Sequence, residues 1–165
     1  MRGLADSKVL TTARRELLAA RIRERARATA VAGIDPFGVD RWNIYQATRR
    51  ALRQAVEKLS PGADFVYVDG PLALDISLPQ QALIGGDRRC ASIAAASILA
   101  KVARDAVMAR WAEVYPEFGL AANKGYASPQ HLAALQQAGP SPHHRFSFAP
   151  VREALGLGQT ALFAE

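Results

Sequence analysis

The stretch GGDRRCASIAAASILAKVARD, residues 85–105, organises the sequence around it. Two glycines and Asp87 precede a run of almost only Ala, Ser and Ile, which ends in mixed charge. This pattern predicts a helix that begins at Asp87, because aspartate is a favourable N-cap, and that continues past Trp111. Small side chains let a neighbouring backbone approach and larger ones fill the core. The small residues are Ala91, Ala94, Ala95 and Ser97, and the larger ones are Ile93, Ile98 and Val102.

Two short apolar segments are predicted as strands next to this helix. Residues 65–68 end at Asp69-Gly70, which is typical of a buried strand followed by a turn. Residues 81–84 lead into Gly85 and are predicted as another strand, and residues 29–34 are a third, short candidate. Because strands and helices alternate, the sequence predicts an α/β fold, in a single domain over residues 1–165.

Two amphipathic helices are predicted before the first strand. One spans residues 12–28 with Thr11 or Thr12 as N-cap. Its predicted buried face is Ala13, Leu17, Ile22 and Ala26. The other begins at Asp40 and ends at Ser60-Pro61-Gly62. Its predicted face is Ile44, Ala47, Ala51, Ala55, Val56 and Leu59.

The charge balance leaves two interpretations open. The 165 residues contain 21 Lys and Arg against 15 Asp and Glu, which gives a formal net charge of +6. Excess positive charge attracts polyanions such as nucleic acid. A solvated, arginine-rich surface would give the same balance, so charge alone does not decide between them.

Other compositional features exclude several classes of protein. A single cysteine, Cys90, excludes an internal disulfide and a multi-cysteine zinc site. The apolar run over residues 91–100 is too short to cross a bilayer. We therefore expect a cytoplasmic protein without membrane association, and nothing in the sequence implies an obligate protein partner.

Asp69 and Asp87 follow the two predicted strands. In an open α/β sheet the carboxyl ends of the strands face the crevice where ligands bind. Carboxylates in such a crevice bind hard cations such as Mg²⁺. Alternatively, Asp69 is a turn residue that bonds its own backbone and Asp87 only caps a helix. Local sequence does not distinguish these roles.

A loop at residues 123–126, Asn-Lys-Gly-Tyr, combines residue types suited to nucleic acid. Lys124 suits a phosphate contact and Tyr126 suits stacking on a sugar or base. An ordinary loop with a core tyrosine is the alternative. A short helix with Ser128 as N-cap follows and is closed by Gly139.

A basic cluster and the single cysteine are weaker candidates. His143, His144 and Arg145 lie between prolines and could include metal ligands. Adjacent histidines on irregular chain are more often surface or packing residues. Cys90 is expected to be a small buried hydrophobe, because no activating base lies near it in sequence.

Several short motifs follow one another along nearly the whole chain. They are Asp6-Ser7-Lys8, Asn43-Ile44 with Ala47-Thr48, Val68-Asp69-Gly70, Gly86-Asp87, residues 92–102 with Arg104-Asp105, Lys124-Gly125-Tyr126, and His144-Arg145 with residues 147–150. In this order they resemble the ribonuclease HII family, which cuts RNA within RNA–DNA hybrids and at single ribonucleotides embedded in DNA. Each motif is weak alone, and the shared order indicates the family.

The resemblance implies a ribonuclease H-like mixed sheet flanked by helices, and hydrolysis by two metal ions held by four carboxylates. Mg²⁺ or Mn²⁺ there activates a water and stabilises the leaving oxygen. By motif, Asp69 resembles the third carboxylate and Asp87 the fourth. Tyr126 resembles a tyrosine that packs at the RNA–DNA junction and senses the ribose 2′-OH. Lys8 resembles a lysine near the substrate backbone.

The sequence departs from the family pattern in one major respect. Family members carry a strand with Gly-x-Asp-Glu-Ala-Gly-Arg-Gly, which supplies the first two carboxylates, and these 165 residues contain no such motif. We therefore expect the N-terminal strands to be missing, either because Met1 is an internal start of a longer protein or because the chain is truncated. Little or no hydrolysis is expected of these residues alone. The alternative function is a basic, non-catalytic nucleic-acid-binding module.

Overall fold

The computed structural model describes residue 7 and residues 9–157, which alternate between helices and two short strands. The elements are α1 (Thr12–Arg25), α2 (Pro36–Glu57), β1 (Val66–Asp69), β2 (Gln80–Leu83), α3 (Gly86–Arg89), α4 (Ala91–Val114), a 3₁₀ turn (Pro116–Phe118), α5 (Leu120–Asn123), α6 (Pro129–Ala138) and α7 (Ala149–Ala154). Residues 29–34 form no strand, so that prediction is wrong. In the described part of the chain these residues have no neighbouring strand with which to pair.

The described residues form two compact units. The first contains the described residues up to Gly33 together with Thr48–Arg104. The second contains Ile34–Ala47 and the described residues from Asp105 onward. The single domain over residues 1–165 stays a prediction. None of the described helices has the length and apolar character needed to cross a membrane.

Strands β1 and β2 of the first unit pair in parallel, with Asp69 opposite Leu83. The resemblance implies a larger mixed sheet. Within the described residues the sheet consists of these two strands. Val68 is buried, whereas its neighbours on β1 are half-buried or exposed, so the expected buried strand is buried at one position. The amide of Gln80 closes the connection between the strands, since it donates to the carbonyl and accepts from the N–H of Leu74, both at 2.8 Å.

Helix α1 begins as predicted but buries a different face. The hydroxyl of Thr11 accepts a hydrogen bond from the backbone of Arg14, as an N-cap does. The buried residues are Leu18, Ala19 and Ile22, which cluster with Ile98 and Leu99 of α4. Of the predicted face only Ile22 is buried, and Leu17 is 43% exposed. Helical spacing alone did not show which of two adjacent leucines meets α4.

The stretch GGDRRCASIAAASILAKVARD forms two helices instead of one. Cys90 adopts an extended conformation, with φ −131° and ψ 121°, between α3 and α4. Gly85, in the left-handed region, is the N-cap of α3. Asp87 therefore lies inside the first turn of α3, and its predicted N-cap role is wrong. A negative charge in that turn is still favourable because of the helix dipole.

Helix α4 confirms most of the predicted packing, but Ala91, one of the predicted small contact residues, is exposed. Ile93 and Ile98 are buried, and Val102 packs against the cluster around Ile98. The small side chain of Ser97 permits a close approach, since its hydroxyl lies 2.8 Å from that of the buried Ser7. The helix also passes Trp111 as predicted, and ends at Val114.

Helix α2 begins before the residue predicted to open it. Its first residue is Pro36, and Asp35 Oδ1 accepts a hydrogen bond from the backbone of Gly38 at 2.7 Å. The prediction that Asp40 opens the helix is therefore wrong. Asn43, at φ 62° and ψ 164°, then divides α2 into two helical segments. The predicted face is also wrong at Ile44, which is 60% exposed.

The second unit has its own core, with the predicted caps around α6. Ser128 accepts a hydrogen bond from the backbone of His131, and Gly139 is the C-cap. The buried cluster comprises Phe118, Leu120, Ala134, Leu135 and Val151. The 3₁₀ turn, α5, α6 and α7 therefore each contribute side chains to one small hydrophobic core.

The corrected face of α1 can be tested with two adjacent leucines. Leu18 is fully buried, so L18A should lower the free energy of unfolding by about 2–5 kcal/mol, through lost burial and a new cavity. L17A, the matched control at a half-exposed neighbour, should cost less than about 1 kcal/mol. Urea unfolding of both variants measures the difference. A larger loss for L17A than for L18A would contradict the structure.

Candidate active site

Both predicted metal-binding residues follow the carboxyl ends of the strands, Asp69 at the end of β1 and Asp87 in the helix after β2. Asp69 is the last residue of β1, and its Oδ1 accepts a hydrogen bond from the backbone N–H of Gly86 at 2.8 Å. Gly70 donates to the carbonyl of Leu83 at 3.0 Å, which continues the strand pairing by one residue. Asp87 directly follows Gly86. The Asp69 side chain is therefore bonded to the residue that precedes the second carboxylate.

Two glycines permit this contact for different reasons. Gly85 has φ 63°, a conformation that L side chains rarely adopt. Gly86 is buried, and a Cβ there would lie 2.5 Å from Ile93 Cδ1 and 3.3 Å from Asp69 Oδ1. A Cβ at Gly86 would displace the end of the Ile93 side chain and crowd the carboxylate, so glycine leaves the room that the bond uses.

The chemistry of this site suits a hard divalent cation. Asp69 is exposed and Asp87 is half-buried, so both carboxylates are reachable from solvent. One oxygen of Asp69 accepts from Gly86, which leaves Oδ2 for another partner. The described residues contain no cluster of three or more His, Cys, Asp or Glu that could hold a metal. Mg²⁺ is commonly held by only one or two carboxylates together with waters and substrate phosphates, and the two aspartates fit that pattern.

Tyr126 lies in a well-bonded loop of the second unit. Its N–H donates to the carbonyl of Asn123 at 2.9 Å, and its carbonyl accepts from the N–H of Ser128 at 2.8 Å. The Asn123 amide donates to the carbonyl of Phe118 at 2.6 Å and accepts from the N–H of Gly125 at 2.8 Å. Tyr126 itself is 63% exposed, so the alternative of a core tyrosine is wrong.

Of the two candidate lysines, the described part of the chain includes Lys124 and does not include Lys8. Lys124 is half-buried in the same loop as Tyr126 and is the C-cap of α5, with φ 52°. Lys8 lies outside the described residues. The structure thus places Asp69 with Asp87 in the first unit and Lys124 with Tyr126 in the second.

His131, which the sequence analysis did not single out, is the buried partner of His144. Their Nε2 atoms lie 3.1 Å apart, and His131 is only 6% exposed. His144 Nδ1 lies 3.0 Å from the backbone nitrogen of Ser141, while His131 Nδ1 lies 2.9 Å from the carbonyl of Tyr126. His131 lies three and four residues before Ala134 and Leu135, on the buried face of α6. That helical spacing was the sequence signal that could have identified His131 as a buried residue.

The basic cluster at residues 143–145 serves packing. The ring of His143 stacks on Trp111, with centroids 3.7 Å apart. The guanidinium of Arg145 lies 4.7 Å above the ring of Phe148, in a cation–π contact. With the Nε2 atoms of His144 and His131 3.1 Å apart, all three residues of the cluster make packing contacts, as the packing interpretation expects.

Cys90 differs from its expected role as a buried hydrophobe. It is half-buried, and its Sγ lies 3.1 Å from the hydroxyl of Ser92. That hydrogen bond, together with one from the backbone of Ile93, lowers the pKa of the Cys90 thiol. The expectation failed because the residue lies in the extended break between α3 and α4, where it does not face the core.

Asp40 has a structural role that its sequence position concealed. Its two carboxylate oxygens accept hydrogen bonds from the backbones of Phe146 and Ser147, at 2.6 and 3.2 Å, and from the Ser147 hydroxyl. The carboxylate thus holds the segment before α7. A contact across more than one hundred residues leaves no local sequence signal.

A family model described as Ribonuclease HII matches residues 1–151. The chain belongs to the ribonuclease HII family. This confirms the resemblance drawn from the motifs around Asp69, Asp87 and Tyr126. Since the match covers most of the chain, both the carboxylate site and the tyrosine loop lie within the family region.

Named relatives and a solved structure agree with this assignment. The chain is 57% identical over 152 residues to the Ribonuclease HII of Solibacter usitatus, and covers 66% of that protein. It is 50% identical over 155 residues to the Ribonuclease HII of Geobacillus thermodenitrificans, and covers 60% of it. The chain therefore spans about two thirds or less of these relatives.

The fold is similar to that in a crystal structure of the ribonuclease H2 from Pyrococcus horikoshii. The TM-score is 0.75 at 22% identity, over 92% of this chain and 80% of the other. At this identity the likeness concerns the fold alone, and it confirms the predicted ribonuclease H-like α/β class.

We expect His144 to make the stability of this chain depend on pH. Burial, followed by the charge of His131, lowers the pKa of His144 below the ordinary value of about 6.5. At acid pH the unfolded chain binds this proton more readily than the folded one. The contribution of neutral His144 to the free energy of unfolding is therefore complete above about pH 6.5. It is lost as the pH falls through the lower pKa that His144 has in the folded state.

Urea unfolding between about pH 7.5 and about pH 5.5 should show this loss in the wild type. H144N is the matched comparison, because its amide oxygen can still accept from Ser141 and does not titrate. Its free energy of unfolding should fall less steeply over the same range. Equal slopes for the two proteins would show that His144 does not contribute.

Proposed function

We propose that this chain supplies metal-binding and substrate-binding residues for metal-dependent endonucleolytic hydrolysis of RNA in RNA–DNA hybrids and at ribonucleotides embedded in DNA, and that these 165 residues alone hydrolyse little or no substrate. The observation that carries the proposal is the bond from the Gly86 N–H to Asp69 Oδ1, which brings the second carboxylate, Asp87, to the end of β1. Two carboxylates at the carboxyl edge of a parallel strand pair are suited to binding a cation at a ligand crevice. Family membership supplies the reaction class.

Asp69 and Asp87 are the residues that we assign to Mg²⁺ or Mn²⁺. A divalent ion bound there would supply an activated water and stabilise the leaving oxygen. The chain's own contribution is to orient the ligands. Gly86 holds Asp69 Oδ1, so Oδ2 keeps a defined direction, and α3 holds Asp87 in its first turn.

Tyr126, Lys124 and Lys8 are the residues that we assign to the nucleic acid. The exposed ring of Tyr126 suits stacking on the sugar or base at an RNA–DNA junction, where the 2′-OH distinguishes RNA from DNA. The lysines suit contacts with phosphates, which fix position without reading sequence. The cytoplasmic location expected from the sequence stays a prediction.

A second candidate function is nucleic-acid binding without hydrolysis. The net charge of +6 favours it, since attraction to phosphates needs no metal. The two candidates differ in their dependence on Asp69. If the function is metal-dependent hydrolysis, loss of the Asp69 carboxylate should remove metal binding. If the function is binding without hydrolysis, the same loss should leave the effect of metal on nucleic-acid binding unchanged.

Replacement of Asp69 is expected to weaken metal binding. D69N keeps the hydrogen bond to Gly86 through its amide oxygen but removes the charge, so Mn²⁺ affinity should fall by at least about tenfold, or about 1.4 kcal/mol. Electron paramagnetic resonance of free Mn²⁺ measures the affinity directly. D64N, at an exposed aspartate before β1, is the matched control and should bind Mn²⁺ as the wild type does.

The same variants separate the two candidate functions. With a duplex containing one ribonucleotide, wild-type binding should depend on Mn²⁺ and D69N binding should not. If Mn²⁺ affects neither protein, the non-catalytic function is supported. Hydrolysis by the 165 residues alone stays expected to be little or none, and clear metal-dependent cleavage would contradict that expectation.

Tyr126 is expected to contribute to recognition of the ribonucleotide. Loss of its stacking in Y126A should weaken binding to a duplex with one ribonucleotide by roughly 5- to 150-fold, about 1–3 kcal/mol. F37A removes a ring that is 74% exposed and serves as the matched control, with binding expected to stay unchanged. Fluorescence anisotropy measures both affinities. Equal affinities for the two variants would refute this role of Tyr126.

A further inference from the structure

The hydrogen bonds around the buried pair His131 and His144 admit one arrangement of protons. The N–H of Ser141 can only donate, so His144 Nδ1 must accept at 3.0 Å. The ring proton of His144 then lies on Nε2, and it is donated across 3.1 Å to His131 Nε2. The carbonyl of Tyr126 can only accept, so His131 carries its proton on Nδ1, 2.9 Å away. Every bond then has a donor and an acceptor.

This assignment gives the chain of bonds a direction. It starts at the backbone of Ser141, passes through both rings and ends on the carbonyl of Tyr126. A second proton on either ring would put a donor against a donor at one of these contacts. The network therefore needs two neutral rings in the stated tautomers.

Surrounding groups hold the two rings in place. Phe118 lies edge-on to His144, with centroids 4.7 Å apart, and 5.8 Å from His131. The Ser141 hydroxyl is 2.9 Å from His144 Nδ1 and is the second polar group on that atom. His143 is the other titratable side chain acting on His144, and it stacks between Trp111 and Tyr115, with centroids 3.7 and 5.9 Å away.

The end of the chain of bonds is the backbone of the exposed tyrosine. The carbonyl of Tyr126 accepts from both His131 and the N–H of Ser128, and its own N–H donates to Asn123. Ser128 also caps α6 by accepting from the backbone of His131 at 3.2 Å. Both the backbone N–H and the backbone carbonyl of Tyr126 are therefore hydrogen-bonded, while the residue remains 63% exposed.

We propose that His131 and His144 are positioning residues that hold the Tyr126 backbone, so that its exposed ring meets the nucleic acid in one orientation. The proposal rests on the proposed substrate role of Tyr126. The histidines themselves act only through the Tyr126 carbonyl. Loss of the His131 bond removes a hydrogen bond that fixes that carbonyl, and the orientation of the ring loosens.

Two substitutions at His131 separate its two hydrogen bonds. Asparagine places its side-chain nitrogen near the position of Nδ1, so H131N keeps a donor for the Tyr126 carbonyl and loses the contact with His144. Glutamine reaches the position of Nε2, so H131Q keeps an acceptor for His144 and loses Tyr126. Both replacements are neutral amides, which makes each the control for the other.

The first measurement is nitrogen-15 NMR of the histidine rings in the wild-type chain at neutral pH. We expect the proton of His131 on Nδ1 and that of His144 on Nε2. The opposite tautomer at either ring would overturn the proposal, and this result needs no variant to fold. Amide hydrogen exchange at Ser128, which donates to the Tyr126 carbonyl, should be faster in H131Q than in H131N. Equal exchange in both would also overturn it.

The second measurement is binding to a duplex that contains one ribonucleotide. H131N should bind within about twofold of the wild type, and H131Q should lose roughly fivefold or more, toward the affinity of Y126A. Equal loss in both histidine variants would mean a general structural role and overturn positioning. If Y126A binds normally, the substrate role of Tyr126 fails, whereas the NMR and exchange results still decide whether the histidines hold its backbone.

Discussion

The hydrogen bond from the Gly86 N–H to Asp69 Oδ1 is the constraint on which the carboxylate site depends. It joins the end of β1 to the turn that follows β2, and so adds a side-chain bond to the strand pairing at this edge. The bond also explains the local sequence. Gly85 supplies a positive φ, and Gly86 leaves the space that Ile93 and the carboxylate fill. The backbone of Gly86 thereby orients an exposed acidic side chain.

The second unit uses the same principle with different groups. The Tyr126 loop is held by bonds to backbone atoms from Asn123, Ser128 and His131. Buried polar groups need partners, and the side chains of Asn123 and His131 find partners on main-chain groups whose positions the loop must keep. A loop satisfied in this way can expose a large ring without losing its own conformation. Exposure of the ring and order of its backbone are then separate properties.

The sequence predicted what local chemistry determines. Thr11, Ser128 and Gly139 cap helices as expected, because capping depends on residues within one turn. It failed where a distant partner decides. Leu18 is buried in place of Leu17 because α4 lies on that side, and Asp40 bonds residues 146 and 147. The sequence predicted that Asp69 and Asp87 each follow a strand. It did not predict the hydrogen bond between Asp69 and Gly86, because no pattern along the chain specifies that bond.

The motifs that identify the family are therefore largely structural in what they do. Ser7 bonds Ser97, Ser147 bonds Asp40, and His144 bonds His131, and none of these contacts involves the two carboxylates. Each holds a backbone segment that a single apolar residue could not hold, because hydrogen bonds are directional and apolar contacts are not. A replacement at such a position would leave the two carboxylates intact and would remove a hydrogen bond that links two distant parts of the chain. Short motifs of this kind consequently carry as much information about loop geometry as about the chemistry of Asp69 and Asp87.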